Sequence, residues 1–178
     1  MKRVVVVPYD SEWPRAFASS SREVAAAMGR NLVAIHHIGS TAIPGIHAKP
    51  VIDMLGIASY LADVDRRAGE MELLGYEAMG EFGIPGRRYF RRDNAAGTRT
   101  EQVHVFLEGS PHVERHLAFR DFMRAHATFA AQYGELKRRL AVAHPGDMEA
   151  YIDGKDAFIK EMEARALTWD RSRRHVAP

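Results

Sequence analysis

His36-His37-Ile38-Gly39-Ser40-Thr41-Ala42-Ile43-Pro44-Gly45-Ile46-His47-Ala48-Lys49-Pro50-Val51-Ile52-Asp53 is the stretch on which the reading of this chain turns. It joins two apolar runs, Leu32 to Ile38 and Val51 to Ile57, through a middle rich in small residues and broken at Pro44-Gly45 and Pro50. The pattern predicts a strand, a turn, and a second strand that carries one carboxylate. Gly39 lets backbone come close to a ligand. Ser40 and Thr41 place hydroxyls beside backbone N–H groups, which form an anion site if a helical turn begins there. Lys49 adds a point charge suited to phosphate. Asp53 interrupts an apolar strand, where an unpaired charge is costly. It therefore calls for a cation, a metal ion or hydrogen-bond donors.

Outward from this segment the pattern is mixed. Val4 to Val7, ended by Pro8, predicts a short strand. Ser11 is placed to cap a helix with Pro14 in its first turn, ending at Gly29. Leu61 to Leu74 reads as a helix closed by Gly75, and Tyr76 to Gly80 as a short strand. Arg87 to Arg92 and Glu101 to Leu107 predict a hairpin across the polar loop Asp93 to Gly97. From His112 the period turns helical, with Phe119, Phe122, Met123 and His126 on one side. Phe129 to Ala143 and Met148 to Leu167 give two more helices, parted by His144-Pro145-Gly146. The expectation is a single α+β domain over residues 1–168, with a mixed sheet in 1–110, packed helices, and a C-terminal helical layer in 111–168. A basic, frayed tail is expected over 169–178.

Composition narrows the function. The 178 residues include no cysteine, which removes disulfides, thiolate zinc sites and a cysteine nucleophile. Lys and Arg total 25 against 23 Asp and Glu, so the net charge of +2 does not make a broad basic field. Hydrophobic content of 46% is that of a folded protein. The opening apolar run stops at Pro8, short of a secretory core, and no stretch approaches the roughly 18–20 apolar residues that span a bilayer. A cytoplasmic setting without membrane contact is expected. Oligomeric state is not legible.

The His37-Ile38-Gly39-Ser40-Thr41 … Pro44-Gly45 … Ala48-Lys49-Pro50-Val51-Ile52-Asp53 stretch closely resembles the GrpB family. Weaker matches follow in the family's order: Pro8-Tyr9-Asp10 with Trp13-Pro14, Gly83 to Arg87, His104-Val105-Phe106, Phe119-Arg120-Asp121, Tyr133 with Leu136-Lys137, and Tyr151 with Lys155. The resemblance covers about residues 3 to 167. It implies a fold similar to the nucleotidyltransferase superfamily, which includes antibiotic nucleotidyltransferases and polymerase beta. Some family members look fused to dephospho-CoA kinase, which points towards nucleotide or coenzyme metabolism.

The superfamily pattern is Gly-Ser, a gap of roughly ten residues, and then Asp-x-Asp/Glu on a strand. Here twelve residues separate Gly39-Ser40 from Asp53, and the second carboxylate position is Leu55. Two-ion phosphoryl transfer relies on shared carboxylates, so this departure bears on mechanism. Alternation along Glu101 to Leu107 puts Gln102, His104 and Phe106 on one face and Glu101 with Val103 and Val105 on the other. His104 or Gln102 is then the candidate for the third ligand position.

The resulting expectation is a protein that binds a nucleotide or another anionic, phosphorylated small molecule. Gly39, Ser40, Thr41 and Lys49 are candidates for phosphate, with Arg87, and with Arg120, Lys137 and Lys155 as the resemblance implies. Asp53 and His104 are the candidate catalytic pair and the candidate ligands of a divalent metal, Mg or Mn. The reaction would be metal-dependent nucleotidyl transfer. The alternative is a binding or docking module on the same scaffold. Nucleic acid is a weaker reading, resting on Arg87 to Arg92. His37 is expected to be a buried histidine with satisfied nitrogens, and the His112/His116 pair to lie on the surface.

Overall fold

The two runs around Gly39 to Pro50 pair antiparallel as β1 (Leu32–Ile38) and β2 (Ile52–Ala58), with Ile38 opposite Asp53 and His36 opposite Leu55. A computed structural model describes residues 3–176 of the chain. β5 (Arg99–Leu107) joins β2 in parallel, with Asp53 beside Gln102 and Leu55 beside His104. β4 (Arg88–Asp93) returns antiparallel on β5, and β3 (Glu77–Ala78) lies at the edge, so the order is β1-β2-β5-β4-β3. The hairpin loop is built by Asn94, whose carboxamide oxygen accepts from the N–H groups of Ala96 and Thr98, and by Gly97 at φ 72°. Both are residues that tolerate such a turn.

α1 (Trp13–Met28) packs against β1 and β2 and brings Val24 and Met28 into the core. Met54, Val103, Val105 and Phe90 are buried with them. β5 alternates as expected, its Glu101, Val103 and Val105 side being the more buried.

Several elements differ from expectation. Ser11 does not cap α1; Glu12 holds that position and makes no side-chain cap, while Pro14 sits in the first turn. Leu61 to Leu74 is broken at Arg67 into α2 (Leu61–Arg66) and α3 (Ala68–Leu73). Val4 to Val7 forms no strand of the sheet: Val4 donates its N–H to the Pro145 carbonyl, and Val7 makes only an isolated bridge to Ala48. Both ends of the β-branched run are thus bonded to segments outside the sheet. The tail continues α6 (Met148–Val176). Arg174 pairs with Asp170 one turn back, and Arg173 lies over Trp169, contacts that support a helix end. Residues 177 and 178 of the predicted tail lie outside the described residues.

The chain forms two compact units. The sheet unit comprises Ser11–Ala42 and Val51–Val113. Of the described residues, the helical unit takes 3–10, then Ile43–Pro50, then 114–176. It holds α5 (Ala127–Ala143), α6 and most of α4 (Pro111–Ala125) around Ile43, Ile46, Phe122, Met123, Tyr133 and Met162. Gly134 lets α5 approach closely, since a methyl group there would come within 3.1 Å of the His47 backbone nitrogen. The first segment and Ile43–Pro50 therefore belong with the helices, not with the sheet.

Among the described residues, no helix is long and apolar enough to cross a membrane.

Candidate functional site

The polar face of the sheet gathers Asp53, Gln102, His104 and Tyr89. The pairings Asp53–Gln102, Leu55–His104 and Tyr89–His104 set them side by side. His104 Nε2 stands 3.9 Å from Asp53 Oδ1, both side chains being partly buried. That gap is too long for a hydrogen bond. Gly39, at φ 70°, follows β1 where it lies against Asp53. A methyl group at Gly39 would collide with the Asp53 carboxylate and lie 3.0 Å from the Asp53 Cβ. Glycine is required here twice, for its left-handed backbone and for the room it leaves the carboxylate.

Ser40 opens a 3-10 turn, Ser40–Ala42, in which Ala42 N–H reaches the Gly39 carbonyl. Thr41 does not turn its hydroxyl towards a ligand. It is buried, donates to the Val51 carbonyl at 3.0 Å and lies 3.0 Å from His37 Nε2. The hydroxyl hydrogen is already given to Val51, so His37 Nε2 donates to Thr41. With Phe17 stacked at 4.8 Å on its ring, His37 is a packing residue of the α1 side.

Arg87 has a role the sequence did not suggest. It is 7% exposed. Nε donates to the Glu81 carbonyl, Nη2 to the Phe82 carbonyl at 2.7 Å, and Nη1 lies 3.3 Å from His104 Nδ1. A guanidinium only donates. His104 Nδ1 is therefore the acceptor, and the neutral ring carries its proton on Nε2, the nitrogen nearest Asp53. Burial works against the charge of Arg87, which fits a clamp better than a phosphate ligand reaching into solvent. The Tyr89 ring stacks on His104 at 5.1 Å and lies under Arg87 at 4.9 Å, and Arg99 reaches the Tyr89 hydroxyl. Burial pushes the Tyr89 phenol up.

The remaining cations of the 87–92 run are each paired: Arg88 with Asp65, Arg91 with Glu77, and Arg92 with Glu101 and Glu23. Lys49, Arg120, Lys137 and Lys155 belong to the helical unit. There Lys49 Nζ lies 3.6 Å from Met148 Sδ, and Arg120 pairs with Asp121. Lys137 is buried over the Tyr133 ring at 4.3 Å, and Lys155 lies over Tyr151 at 5.4 Å. His112 stacks on Phe106, and His116 lies beside Arg115.

The donor set does not make a two-ion centre. Leu55 is fully buried where the second carboxylate would stand. Among the described residues no three His, Asp or Glu side chains group to hold an ion. The lone pair that His104 could give a metal is turned to Arg87. Its Nε2–H instead suits a hydrogen bond to an anionic oxygen. Asp53 is the carboxylate on this face, with Gln102 beside it.

Sequence reasoning missed a second assembly, on the opposite face of β5. Glu101 accepts from Ser20 Oγ at 2.9 Å, from Arg92 Nη2 at 2.6 Å and from the Tyr76 hydroxyl. Tyr76 is buried, and burial, followed by the Glu101 carboxylate, pushes its phenol far up. The one available signal was parity, which set Glu101 opposite His104.

Residues 3–165 match the family described as GrpB protein. UPF0157 protein YqkA of Bacillus subtilis is 40% identical over 98% of this chain, which spans half the length of that relative. A dephospho-CoA kinase of Mycolicibacterium paratuberculosis is 27% identical over 93% of the chain and 46% of its own length. The crystal structure of conserved protein GrpB from Enterococcus faecalis superposes with a TM-score of 0.88 at 40% identity, covering 92% of this chain and 98% of that one. Cid1 poly(U) polymerase, solved with MgGTP bound, gives a TM-score of 0.55 at 8% identity over 83% of this chain and 50% of that one. That likeness shows a nucleotidyltransferase-like fold.

Proposed function

The chain belongs to the GrpB family, and from that premise and the polar face of its sheet we propose that it binds a nucleotide or a similar phosphorylated small molecule beside Asp53. The observation that carries the reading is the convergence of Gly39, Asp53 and the Nε2–H side of His104 on one face. Gly39-Ser40 offers backbone N–H groups to phosphate. His104 donates to an anionic oxygen. Asp53 would hold one divalent ion, Mg or Mn, whose other ligands come from the phosphates, and which would neutralise charge on them. Solved complexes of Cid1 with MgGTP and with a UTP analogue support a nucleotide on this kind of scaffold. A metal-dependent nucleotidyl transfer is the reaction such a ligand would undergo.

A second reading, a non-catalytic binding module, is favoured by Leu55. An apolar, fully buried side chain at the second carboxylate position lowers the charge available for transfer without harming retention of a ligand.

Calorimetry with ATP, CTP, GTP, UTP and inorganic tripolyphosphate, with Mg²⁺ and then Mn²⁺, tests the proposal. Binding in the micromolar-to-millimolar range is expected, about 4–8 kcal/mol. Asp53→Ala should abolish the ion-dependent part of the heat and any turnover while leaving Tm nearly unchanged. No heat with any of the five ligands overturns the reading. An Asp53→Ala protein that unfolds makes Asp53 a structural residue.

A further inference from the structure

The loop between β3 and β4 raises a question that packing alone does not answer. Phe82 is 56% exposed and sits at φ 43°, a left-handed backbone otherwise taken along this loop by Gly80, Gly83 and Gly86. A bulky side chain in that region is strained. The loop is nonetheless built to hold it. Arg87 binds the Glu81 and Phe82 carbonyls together. The Glu81 carboxylate accepts the Gly86 N–H at 2.7 Å. Backbone bonds run from Ile84 to Glu81 and from Arg87 to Ile84. One side of the Phe82 ring stacks on Tyr89 at 5.4 Å, and Tyr89 stacks in turn on His104 at 5.1 Å. The rings Phe82, Tyr89 and His104 thus form a continuous series ending 3.9 Å from the Asp53 carboxylate. The same guanidinium that fixes the His104 tautomer fixes the carbonyl of the exposed ring.

We propose that Phe82 is a stacking platform for the planar heterocycle of the ligand whose phosphates lie towards Gly39 and Asp53. This rests on the reading above, that the polar face takes a phosphorylated ligand, and adds that the ligand carries a base. Asp53 and Tyr89 stand two strands apart across the sheet and two residues apart along it, roughly 12 Å, with the Phe82 ring stacked beyond Tyr89. A nucleotide lying across the strands can therefore present phosphate at one end and base at the other. A flat ring held in place loses little entropy when a base stacks on it, and such stacking tolerates base identity. The platform therefore selects for a heterocycle without selecting among the four bases.

The test is titration calorimetry of wild-type and Phe82→Ala protein, each with ATP and with inorganic tripolyphosphate. ATP should bind the wild type more tightly than tripolyphosphate. Phe82→Ala should weaken ATP about tenfold or more while leaving tripolyphosphate within about twofold. Phe82→Trp should keep ATP affinity, and its fluorescence should change with ATP and not with tripolyphosphate. Equal wild-type affinity for the two ligands overturns the platform and leaves the phosphate reading standing. An equal loss of both in Phe82→Ala, with Phe82→Trp silent, makes Phe82 a packing residue of the loop and overturns the platform. Failure of both ligands to bind the wild type overturns the phosphate reading and the platform with it.

Discussion

The two faces of β5 carry similar chemistry put to opposite use. On one, the Glu101 carboxylate meets a tyrosine, an arginine and a serine and is closed by them. On the other, Asp53 meets a histidine at 3.9 Å, and that histidine is oriented by an arginine and covered by a tyrosine. The closed assembly satisfies its carboxylate within the protein, so its charge stabilises the fold. In the second, arginine and tyrosine contact the histidine, and the imidazole lies 3.9 Å from the carboxylate, beyond hydrogen-bonding distance. That the carboxylate and the N–H donor do not bond each other is what the proposed ligand site requires. The difference teaches that carboxylates on opposite faces of neighbouring strands meet different partners when α1 packs on the Glu101 face.

The largest effect expected from this contrast is on stability. Glu101→Ala leaves Arg92 and Tyr76 without their shared acceptor in a buried setting. It should cost about 3 kcal/mol, seen as a Tm lower by roughly 6–12 °C. A change of the same size in Asp53→Ala would erase the distinction between the faces. Next comes the clamp. Arg87→Lys cannot reach two carbonyls and the imidazole together. It should cost about 1–2 kcal/mol, and hydrogen exchange should speed up across residues 80–87 while the Glu101 side stays protected. Uniform acceleration over the sheet would show that Arg87 supports the whole unit.

The smallest effect concerns Asp65, which pairs with Arg88 at the start of β4. The hydrogen bond from Arg88 holds the Asp65 carboxyl below its usual value. Its pKa is thus depressed in the folded state, so its contribution is fully present above the unfolded value, about pH 4. It fades as pH falls through the lower folded value. For a half-exposed pair this is under about 1 kcal/mol. Wild type and Asp65→Asn should differ by that amount at pH 7 and converge in acid unfolding curves as pH falls through the lowered folded value. A constant difference down to pH 2 would assign the effect to packing.

Much of this was legible because it is local. β1 and β2 announce themselves as apolar runs, and alternation along β5 already separated His104 from Glu101. Gly39 stood out as a point of close backbone approach to a ligand, and only the fold shows that the Asp53 carboxylate lies against it. What was not legible depends on partners remote in sequence. The run Arg87 to Arg92 reads as a basic patch until Asp65, Glu77 and Glu23 arrive from other elements to pair with it. Arg87 looks like a phosphate ligand because nothing in its neighbours says that backbone carbonyls will consume it. Thr41 looks like Ser40, and only the approach of Val51 and His37 turns its hydroxyl inward. The Val4 to Val7 run has strand propensity in full, yet its backbone is claimed by Pro145 and Ala48. The division into two units escapes a linear reading because Ile43–Pro50 leaves the sheet's sequence neighbourhood to join the helices.

The central claim is that the polar face around Asp53 and His104 receives a phosphorylated ligand. Amide and imidazole NMR shifts recorded while ATP and Mg²⁺ are added test it most directly. The account predicts saturable changes at Gly39, Ser40, Asp53 and the His104 ring, with His37 and Glu101 on the opposite face unmoved. Saturable shifts confined to the helical unit around Tyr133 and Lys137, or none at any concentration, would contradict it.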